Sequence, residues 1–132
     1  MNTSDFLMIS SAIVPDRPVM FFDDEAITFS EFQERVNKLA NALSDQGVVA
    51  GDRVAMMQVN TPHCLEVYFA SAQLDAIYVP INFRAKSEEL EQMLSIAQPS
   101  ILFIGERYLP LISSQGEMPA ERVVILDGPA AD

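Results

Sequence analysis

The sequence predicts an α/β protein with a doubly wound, mainly parallel β-sheet that has helices on both faces and is preceded by an N-terminal β-hairpin. Residues 53–59 and 76–81 are apolar runs without a polar face, which is typical of parallel strands covered on both sides. The segment between them has the pattern of a helix, so the three form a β-α-β unit whose crossover should be right-handed. Strand and helix patterns alternate onward to residue 126, which favours a layered α/β architecture.

The residues before the first long helix are interpreted as an arm and a hairpin. Residues 1–17 form the lead-in arm, and their first part is either a short helix or irregular, with apolar side chains for docking. Two short apolar runs, residues 19–22 and 26–29, flank an acidic turn at residues 23–25. This pattern predicts a β-hairpin.

The first long helix has signals at both ends. Thr28 followed three residues later by Glu31 predicts a capping box, and Gly47 predicts the C-terminal stop. Between them a single apolar stripe recurs at helical spacing and predicts the buried face: Phe32, Val36, Leu39, Ala40 and Leu43.

The helix of the central unit is expected to be deeply buried. Thr61 is placed to cap it, and Pro62 occupies the first helical position, where a missing N–H costs nothing. The helix should run to about Leu74, with apolar residues around most of its circumference. Cys64 falls within this pattern and is therefore interpreted as a small core residue rather than a nucleophile.

The next helix follows the central unit closely. Ser87 is predicted to cap it, with Glu88 and Glu89 in the first turn, where acidic side chains interact favourably with the helix dipole. Pro99 ends it. Its apolar stripe predicts a second buried helical face: Leu90, Met93, Leu94 and Ala97.

The last third of the chain completes the predicted sheet. Residues 100–104 and 122–126 are predicted strands, and residues 106–114 are a short helix weakened by a proline. Residues 127–132 are turn-like and are expected to form a frayed tail. Residues 1–132 together have the length of one domain.

Composition excludes several classes of function. The chain has 132 residues and a net charge of −11, from 19 acidic against 8 basic residues, which argues against a nucleic-acid or anionic-membrane surface. The one cysteine excludes an internal disulfide and a cysteine-rich metal site. No apolar run reaches the roughly 20 residues of a membrane span, and the N-terminus has no signal-peptide pattern. We therefore expect a cytoplasmic protein.

The motifs offer no recognisable chemistry. The 5 glycines never form GxGxxG or GxxxxGK[ST], so no phosphate-binding loop is visible. His63, the only histidine, has no recognisable orienting partner. Arg84 follows a predicted strand, at the edge where open α/β sheets bind ligands, but a surface ion pair with Glu88 explains it more simply. Accordingly, no catalytic, cofactor-binding or metal-binding residue is assigned.

An ordered set of landmarks nevertheless resembles a known family. They span residues 19–105, and their order and spacing carry the resemblance: TF and EF within 28–32, GDRVA at 51–55, NTP at 60–62, AIYVPIN at 76–82 and EL at 89–90. This region resembles the N-terminal region of the AMP-forming adenylate synthetases, the AMP-dependent synthetase and ligase family that includes acyl-CoA synthetases. Two residues depart from the family pattern: Asp75 replaces a usual glycine, and Phe83 replaces a common proline.

The resemblance implies a ligase that activates a carboxylic acid with ATP to an acyl-adenylate and then transfers it, commonly to CoA. ATP, Mg and CoA are thus implied for a full-length parent. The family's phosphate loop, nucleotide motif and C-terminal lysine cannot be placed on residues 1–132, so we expect this fragment to hold no cofactor and to be inactive alone. The resemblance does not identify the acid, or decide between CoA and another thiol.

Two other functions stay open. A stand-alone module could use the same fold to bind proteins without catalysis, and a small nucleotide-binding domain of another kind is the third possibility, although the missing glycine loop argues against it. The family implies that the downstream subdomains of the synthetase pack against this region. Because such surface would be bare here, we also expect a homo-oligomer.

Overall fold

Four parallel strands form the sheet that the apolar runs predict. The computed structural model describes residues 2–113 and 120–126. The strands are β3 (Arg53–Met57), β4 (Ile77–Pro80), β5 (Ile101–Gly105) and β6 (Arg122–Leu126); β1 (Pro18–Phe22) and β2 (Glu25–Thr28) form a separate antiparallel hairpin. The helices are α1 (Thr3–Ile13), α2 (Phe29–Asp45), α3 (Pro62–Gln73), α4 (Ser87–Ala97) and α5 (Leu109–Ser113), and a 3₁₀ turn spans Glu106–Tyr108.

These elements divide into two compact units. Unit 1 contains Met1–Gly51 and Thr61–Ala76, with the hairpin and helices α1, α2 and α3. Unit 2 contains Asp52–Asn60 and Ile77–Asp132, with the parallel sheet, α4 and α5. That residues 1–132 form one domain stays a prediction, and the expected tail at 127–132 lies outside the described residues. No helix in the described ranges is long and apolar enough to cross a membrane.

The α/β class, the parallel sheet flanked by helices and the preceding hairpin are confirmed. The strand order is β4-β3-β5-β6, and every neighbouring pair is parallel. The central strands β3 and β5 are buried on both faces, as continuous apolar runs predict. The expectation that residues 76–81 form an equally buried strand is wrong, because β4 is an edge strand with Ile77 half exposed.

Helix α4 contributes to the core of unit 2. Leu90 and Leu94 are buried against strand residues that include Ala55, Leu102 and Ile104, which confirms the predicted stripe. The prediction that Ser87 caps α4 is wrong by one residue: Lys86 holds the N-cap position.

The ends of α2 behave largely as their sequence predicts. The Thr28 hydroxyl accepts a hydrogen bond from the Glu31 N–H at 3.1 Å, while the Glu31 carboxylate accepts one from that same hydroxyl rather than from the Thr28 backbone. Gly47 has φ +93°, and the Gly47 and Val48 N–H groups bond the carbonyls of Ser44 and Leu43. This is a Schellman motif, which confirms the predicted stop.

The hairpin turn is tighter than expected. Asp23 and Asp24 both have positive φ, at 50° and 65°, and Glu25 already belongs to β2 and pairs with Phe22. A two-residue turn of this kind matches the right-handed twist of the strands, whereas a three-residue acidic turn was predicted.

The first residues of the chain form a helix, one of the two conformations expected for them. Helix α1 packs against α2 and α3 and buries Leu7. Its N-cap, Asn2, forms a capping box with Asp5: its side chain caps the first turn, and its N–H donates to Asp5 Oδ2 at 2.9 Å.

Helix α3 is less buried than its composition predicts. Pro62, Val67, Ala70 and Ser71 are buried, but Leu65 is 45% exposed and Cys64 is only half-buried. A further correction concerns the N-terminal cap of α3. Thr61 is the N-cap and Pro62 follows, as expected, but the Thr61 hydroxyl makes no cap hydrogen bond and is buried without a partner.

Candidate functional site

The order of the strands marks one edge of the sheet as the place to search for a site. From β3 the chain passes to β4 on one side and then to β5 on the other, so the direction of winding reverses between β3 and β5. Open α/β sheets bind ligands at such a switch point, outside the carboxyl ends of the strands. Here β3 is followed by Gln58, and β5 ends at Gly105; both residues belong to unit 2.

A buried carboxamide fills the position over Gly105. Gln58 is only 5% exposed, and its Oε1 accepts a hydrogen bond from the Val59 N–H at 2.9 Å. A Cβ atom added to Gly105 would lie 2.6 Å from that Oε1. A side chain at position 105 would therefore require the flexible carboxamide of Gln58, which follows β3, to shift.

Two aromatic rings and two guanidinium groups lie beyond the same edge. We name Phe83, Arg84, Arg107 and Tyr108 the edge cluster. The Phe83 and Tyr108 ring centroids are 6.4 Å apart at 45°, and they join the loop after β4 to the 3₁₀ turn after β5. The Arg84 guanidinium carbon lies 5.5 Å from the Phe83 centroid, and that of Arg107 lies 5.9 Å from the Tyr108 centroid.

The loop after β4 is held by an asparagine turn. Asn82 Oδ1 accepts a hydrogen bond from the Arg84 N–H at 2.9 Å, and the Asn82 carbonyl accepts one from the Ala85 N–H at 3.0 Å. The flanking residues Ile81 and Ala85 are buried, so the turn is anchored on both sides while Phe83 and Arg84 project from it. The loop thus presents one ring and one cation at a defined place.

The edge cluster carries positive charge in a strongly acidic chain. Arg84 and Arg107 are exposed and are two of the 8 basic residues. The predicted ion pair of Arg84 with Glu88 is wrong: among the described residues no such pair forms, and the guanidinium lies over Phe83 instead. Guanidinium groups beside aromatic faces suit a ligand that combines a planar ring with an anion.

The only histidine belongs to a different group of charges, in unit 1. His63 Nδ1 lies 3.5 Å from Glu66 Oε2, and Glu66 Oε1 lies 3.4 Å from Arg35 Nη1. The expectation that His63 lacks an orienting partner is therefore wrong, and the i, i+3 spacing to Glu66 was the signal. The arrangement ties α2 to α3, with Glu66 12% and His63 50% exposed, and is explained as a partly solvated Arg35–Glu66 ion pair with the imidazole beside it.

Comparison with known proteins shows which family the chain belongs to. The family model described as AMP-binding enzyme matches residues 10–132. The chain belongs to this family. It is similar to an indoleacetate–CoA ligase of Aromatoleum aromaticum, at 28% identity over 98% of this chain and 26% of the relative. It is also similar to a fatty acid–[acyl-carrier-protein] ligase, ScoC, of Streptomyces coeruleorubidus, at 27% identity over 85% of this chain and 22% of the relative.

Solved structures agree with the family. The anthranilate CoA ligase AuaEII, in complex with anthranoyl-AMP, matches 96% of this chain with a TM-score of 0.89 and 28% identity, over 25% of its own length. The chain thus spans about a quarter of the length of each of these three proteins. The resemblance of its landmarks to the N-terminal region of AMP-forming ligases is confirmed.

Sequence reasoning found only one member of the edge cluster as a candidate. Arg84 was considered because it follows a strand, whereas Arg107 and Tyr108 were interpreted only as part of a short helix. A usable signal existed, since an arginine next to an aromatic residue follows the ends of both β4 and β5. The carboxylates Glu88 and Glu89 lie in the first turn of α4, as predicted.

Proposed function

We propose that this chain is the N-terminal part of an AMP-forming ligase that activates a carboxylic acid. A carboxylate oxygen attacks the α-phosphorus of ATP, the bond between the α-phosphorus and the oxygen bridging to the β-phosphate breaks, and the acyl-adenylate forms as pyrophosphate leaves. A thiol sulfur, that of CoA or of a carrier protein, then attacks the acyl carbon and AMP leaves. The observation that carries this proposal is the family match over residues 10–132, and the relatives' names supply both kinds of thiol.

Residues 1–132 alone are expected not to catalyse the first step. Catalysis requires groups that hold ATP in line with the acid and neutralise the charge that develops, and no such set is visible in the sequence. The test is ATP–pyrophosphate exchange with indoleacetate, anthranilate and medium-chain fatty acids, which should stay at the level without acid. Acid-dependent exchange by the pure chain contradicts the proposed inactivity, whereas exchange by the chain extended downstream supports the ligase.

We further propose that the edge cluster binds a cosubstrate of that reaction, at the part that carries both an anionic group and a planar ring. ATP and CoA both carry an adenine ring together with phosphates. The two exposed guanidinium groups of the cluster suit the phosphates, and the two aromatic rings beside them suit the adenine. This differs from the expectation that the fragment holds no cofactor. Binding by an open surface should be weak, in the millimolar range on the order of −4 kcal/mol.

The test is a ¹⁵N NMR titration with ATP, AMP and CoA. Replacing Arg84 and Arg107 together by glutamine should weaken binding about tenfold or more, since each removes charge-assisted hydrogen bonds. Arg17→Gln is the control, because it removes an exposed arginine outside the cluster. Equal binding by the double variant and by Arg17→Gln would contradict the assignment and would leave the family membership untouched.

A stand-alone protein-binding module is the second candidate. Helix α1 exposes an apolar stripe of Phe6, Ile9 and Ile13, which are 62%, 43% and 72% exposed. Such a stripe at helical spacing suits a protein partner, either the downstream part of the ligase or a second copy of this chain. Reading the gene beyond Asp132 separates the candidates: a downstream phosphate-loop motif supports the ligase, and a stop codon supports the module. A cytoplasmic location fits either, since the single cysteine needs no oxidising compartment.

A further inference from the structure

The two central strands of the sheet reach the switch point side by side. The register of β3 with β5 runs as far as Met57 opposite Ile104, and the next residue along each strand is Gln58 and Gly105, respectively. On its other side Gly105 is still paired, with Leu126 of β6. The Gln58 side chain therefore lies against β5 at the position where the register of the two strands ends.

The Gln58 carboxamide presents its flat face to Gly105. A Cβ atom added to the glycine would lie 2.6 Å from Oε1, 2.7 Å from Cδ and 2.7 Å from Nε2, and such nearly equal distances place it over the amide plane rather than at its edge. The hydrogen bond from the Val59 N–H to Oε1 and the burial of the side chain hold this orientation. Gly105 itself has φ −65° and ψ 139°, which any residue adopts, so the position demands space rather than an unusual conformation.

Gly105 is also the residue at which β5 gives way to the 3₁₀ turn. It is the N-cap of Glu106–Tyr108, and the turn closes when the Leu109 N–H donates to the Glu106 carbonyl. A 3₁₀ turn has poorer hydrogen-bond geometry than an α-helix, so its direction depends on what supports its ends. Arg107 and Tyr108 follow Gly105 by two and three residues, and the direction in which the backbone leaves the glycine therefore sets where this guanidinium and this ring lie.

The other half of the edge cluster has a support of its own. The asparagine turn after β4 fixes the Arg84 N–H through Asn82 Oδ1, and neither residue belongs to β3 or β5. The two halves meet where the Phe83 and Tyr108 rings lie 6.4 Å apart. A disturbance at Gln58 should therefore reach Arg107 and Tyr108 and leave the backbone of Arg84 in place.

We propose that Gln58 is a positioning residue of the edge cluster, which supports the 3₁₀ turn at Gly105 and so places Arg107 for the phosphates of the cosubstrate. This inference rests on the proposed binding of ATP or CoA by that cluster. Gln58 is buried and acts through the glycine, whereas the exposed guanidinium makes the contact with the ligand. Binding sites depend in this way on neighbours that lock the groups touching the ligand.

NMR of the 132-residue chain without ligand tests the positioning itself. Gln58→Met keeps an unbranched side chain but removes the planar amide, so the Arg107 Nε–H and Tyr108 ring signals should shift while the Arg84 N–H signal stays. Val54→Ala is the control, since it removes buried volume from the same strand four residues earlier. Gly105→Ala displaces the same carboxamide and should shift the same two signals, which keeps the test decisive if Gln58→Met does not fold. Unchanged Arg107 and Tyr108 signals, or equal shifts in Val54→Ala, would overturn the proposal.

Double-mutant cycles connect the position to binding, measured with whichever of ATP and CoA binds more tightly. Gln58→Met should weaken binding about threefold, which is one arginine's equal share of the tenfold loss expected for two. Added to Arg107→Gln it should cost almost nothing more, whereas its effect should multiply with that of Arg84→Gln. Equal coupling to both arginines would overturn the proposal. If the unchanged chain binds neither ATP nor CoA, the proposed binding by the edge cluster fails, and the signals without ligand still decide whether Gln58 supports the turn.

Discussion

Asp75 occupies a position in which glycine is the usual residue. It follows α3 with φ +57°, and the N–H groups of Asp75 and Ala76 bond the carbonyls of Ala72 and Ser71, as in a Schellman motif. Its carboxylate lies beside the negative end of the helix dipole, which is unfavourable, but it accepts a hydrogen bond from Asn2 Nδ2. Asn2, at the start of the chain, therefore accommodates the aspartate that replaces the usual glycine.

The first prediction concerns the charge of Asp75. Asp75→Asn keeps an oxygen for Asn2 and tolerates the left-handed conformation, but it removes the unfavourable charge, so the free energy of unfolding should rise by about 0.5 kcal/mol. Urea unfolding at low and high salt measures this, and the gain should shrink with salt. Asp24→Asn is the control, since Asp24 has φ +65° in the hairpin turn and no helix end beside it. Equal gains at the two positions would contradict the dipole explanation.

The second prediction separates the two roles of Asn2. Asn2→Ser retains a side-chain acceptor for capping α1 but loses the donors to Ala72 and Asp75, so unfolding should become easier by about 1 kcal/mol. Asn2→Ala loses the cap as well and should cost about 2 kcal/mol in total. Both values come from urea unfolding. If Asn2→Ser is as stable as the unchanged chain, the bridge between α1 and α3 contributes nothing.

At the scale of the element, a close contact joins the ends of β3 and β5, where the carboxamide of Gln58 lies against Gly105. Gly105→Ala places a methyl group against the buried Gln58 carboxamide and should destabilise the chain by about 1 kcal/mol, at the low end for overpacking because the glutamine side chain is flexible.

A double-mutant cycle checks this explanation. With Gln58→Ala already present, adding Gly105→Ala should cost much less, so the two changes should be strongly non-additive in urea unfolding. Additive costs would mean that the added methyl group meets some other part of the structure. The cycle is informative for the site as well, since both residues lie where the winding of the sheet reverses.

For the whole molecule, the open question is self-association. It was expected from the apolar faces of the strands and of α3, but β3 and β5 are buried and only Leu65 of α3 is an exposed large apolar residue. Exposed apolar residues lie on β4 and β6, at Ile77, Val124 and Ile125, and also on α1, where the stripe of Phe6, Ile9 and Ile13 is the candidate contact. We propose that this stripe mediates a homo-oligomer, against which the charge of −11 acts.

The corresponding prediction is that association increases with ionic strength, because salt screens the repulsion between acidic chains. Sedimentation velocity at low and high salt should show a growing oligomer fraction, which Phe6→Gln with Ile13→Gln should abolish. Ile96→Gln is the matched control, as Ile96 is 75% exposed on α4 and outside the stripe. A monomer at high salt and high protein concentration would rule out the oligomer.

Much of the fold is local and could be predicted from the residues. The bounds of α2 follow from Thr28 and Gly47, and the strand runs follow from apolar continuity, because caps and side-chain periodicity act within a few residues. The family landmarks are likewise local segments in a fixed order. These local features are sufficient to predict the α/β class and the resemblance to the family.

Tertiary structure alone decided the features that join distant segments. The strand order places β4 at an edge of the sheet and leaves Ile77 exposed to solvent, although the composition of β4 matches that of the buried strands. The same holds for Asn2 with Ala72, Gln58 with Gly105 and Phe83 with Tyr108, which meet across 24 or more positions of the chain. Periodicity and capping carry no information over such separations, since a side chain's distant neighbours are set only when the elements pack.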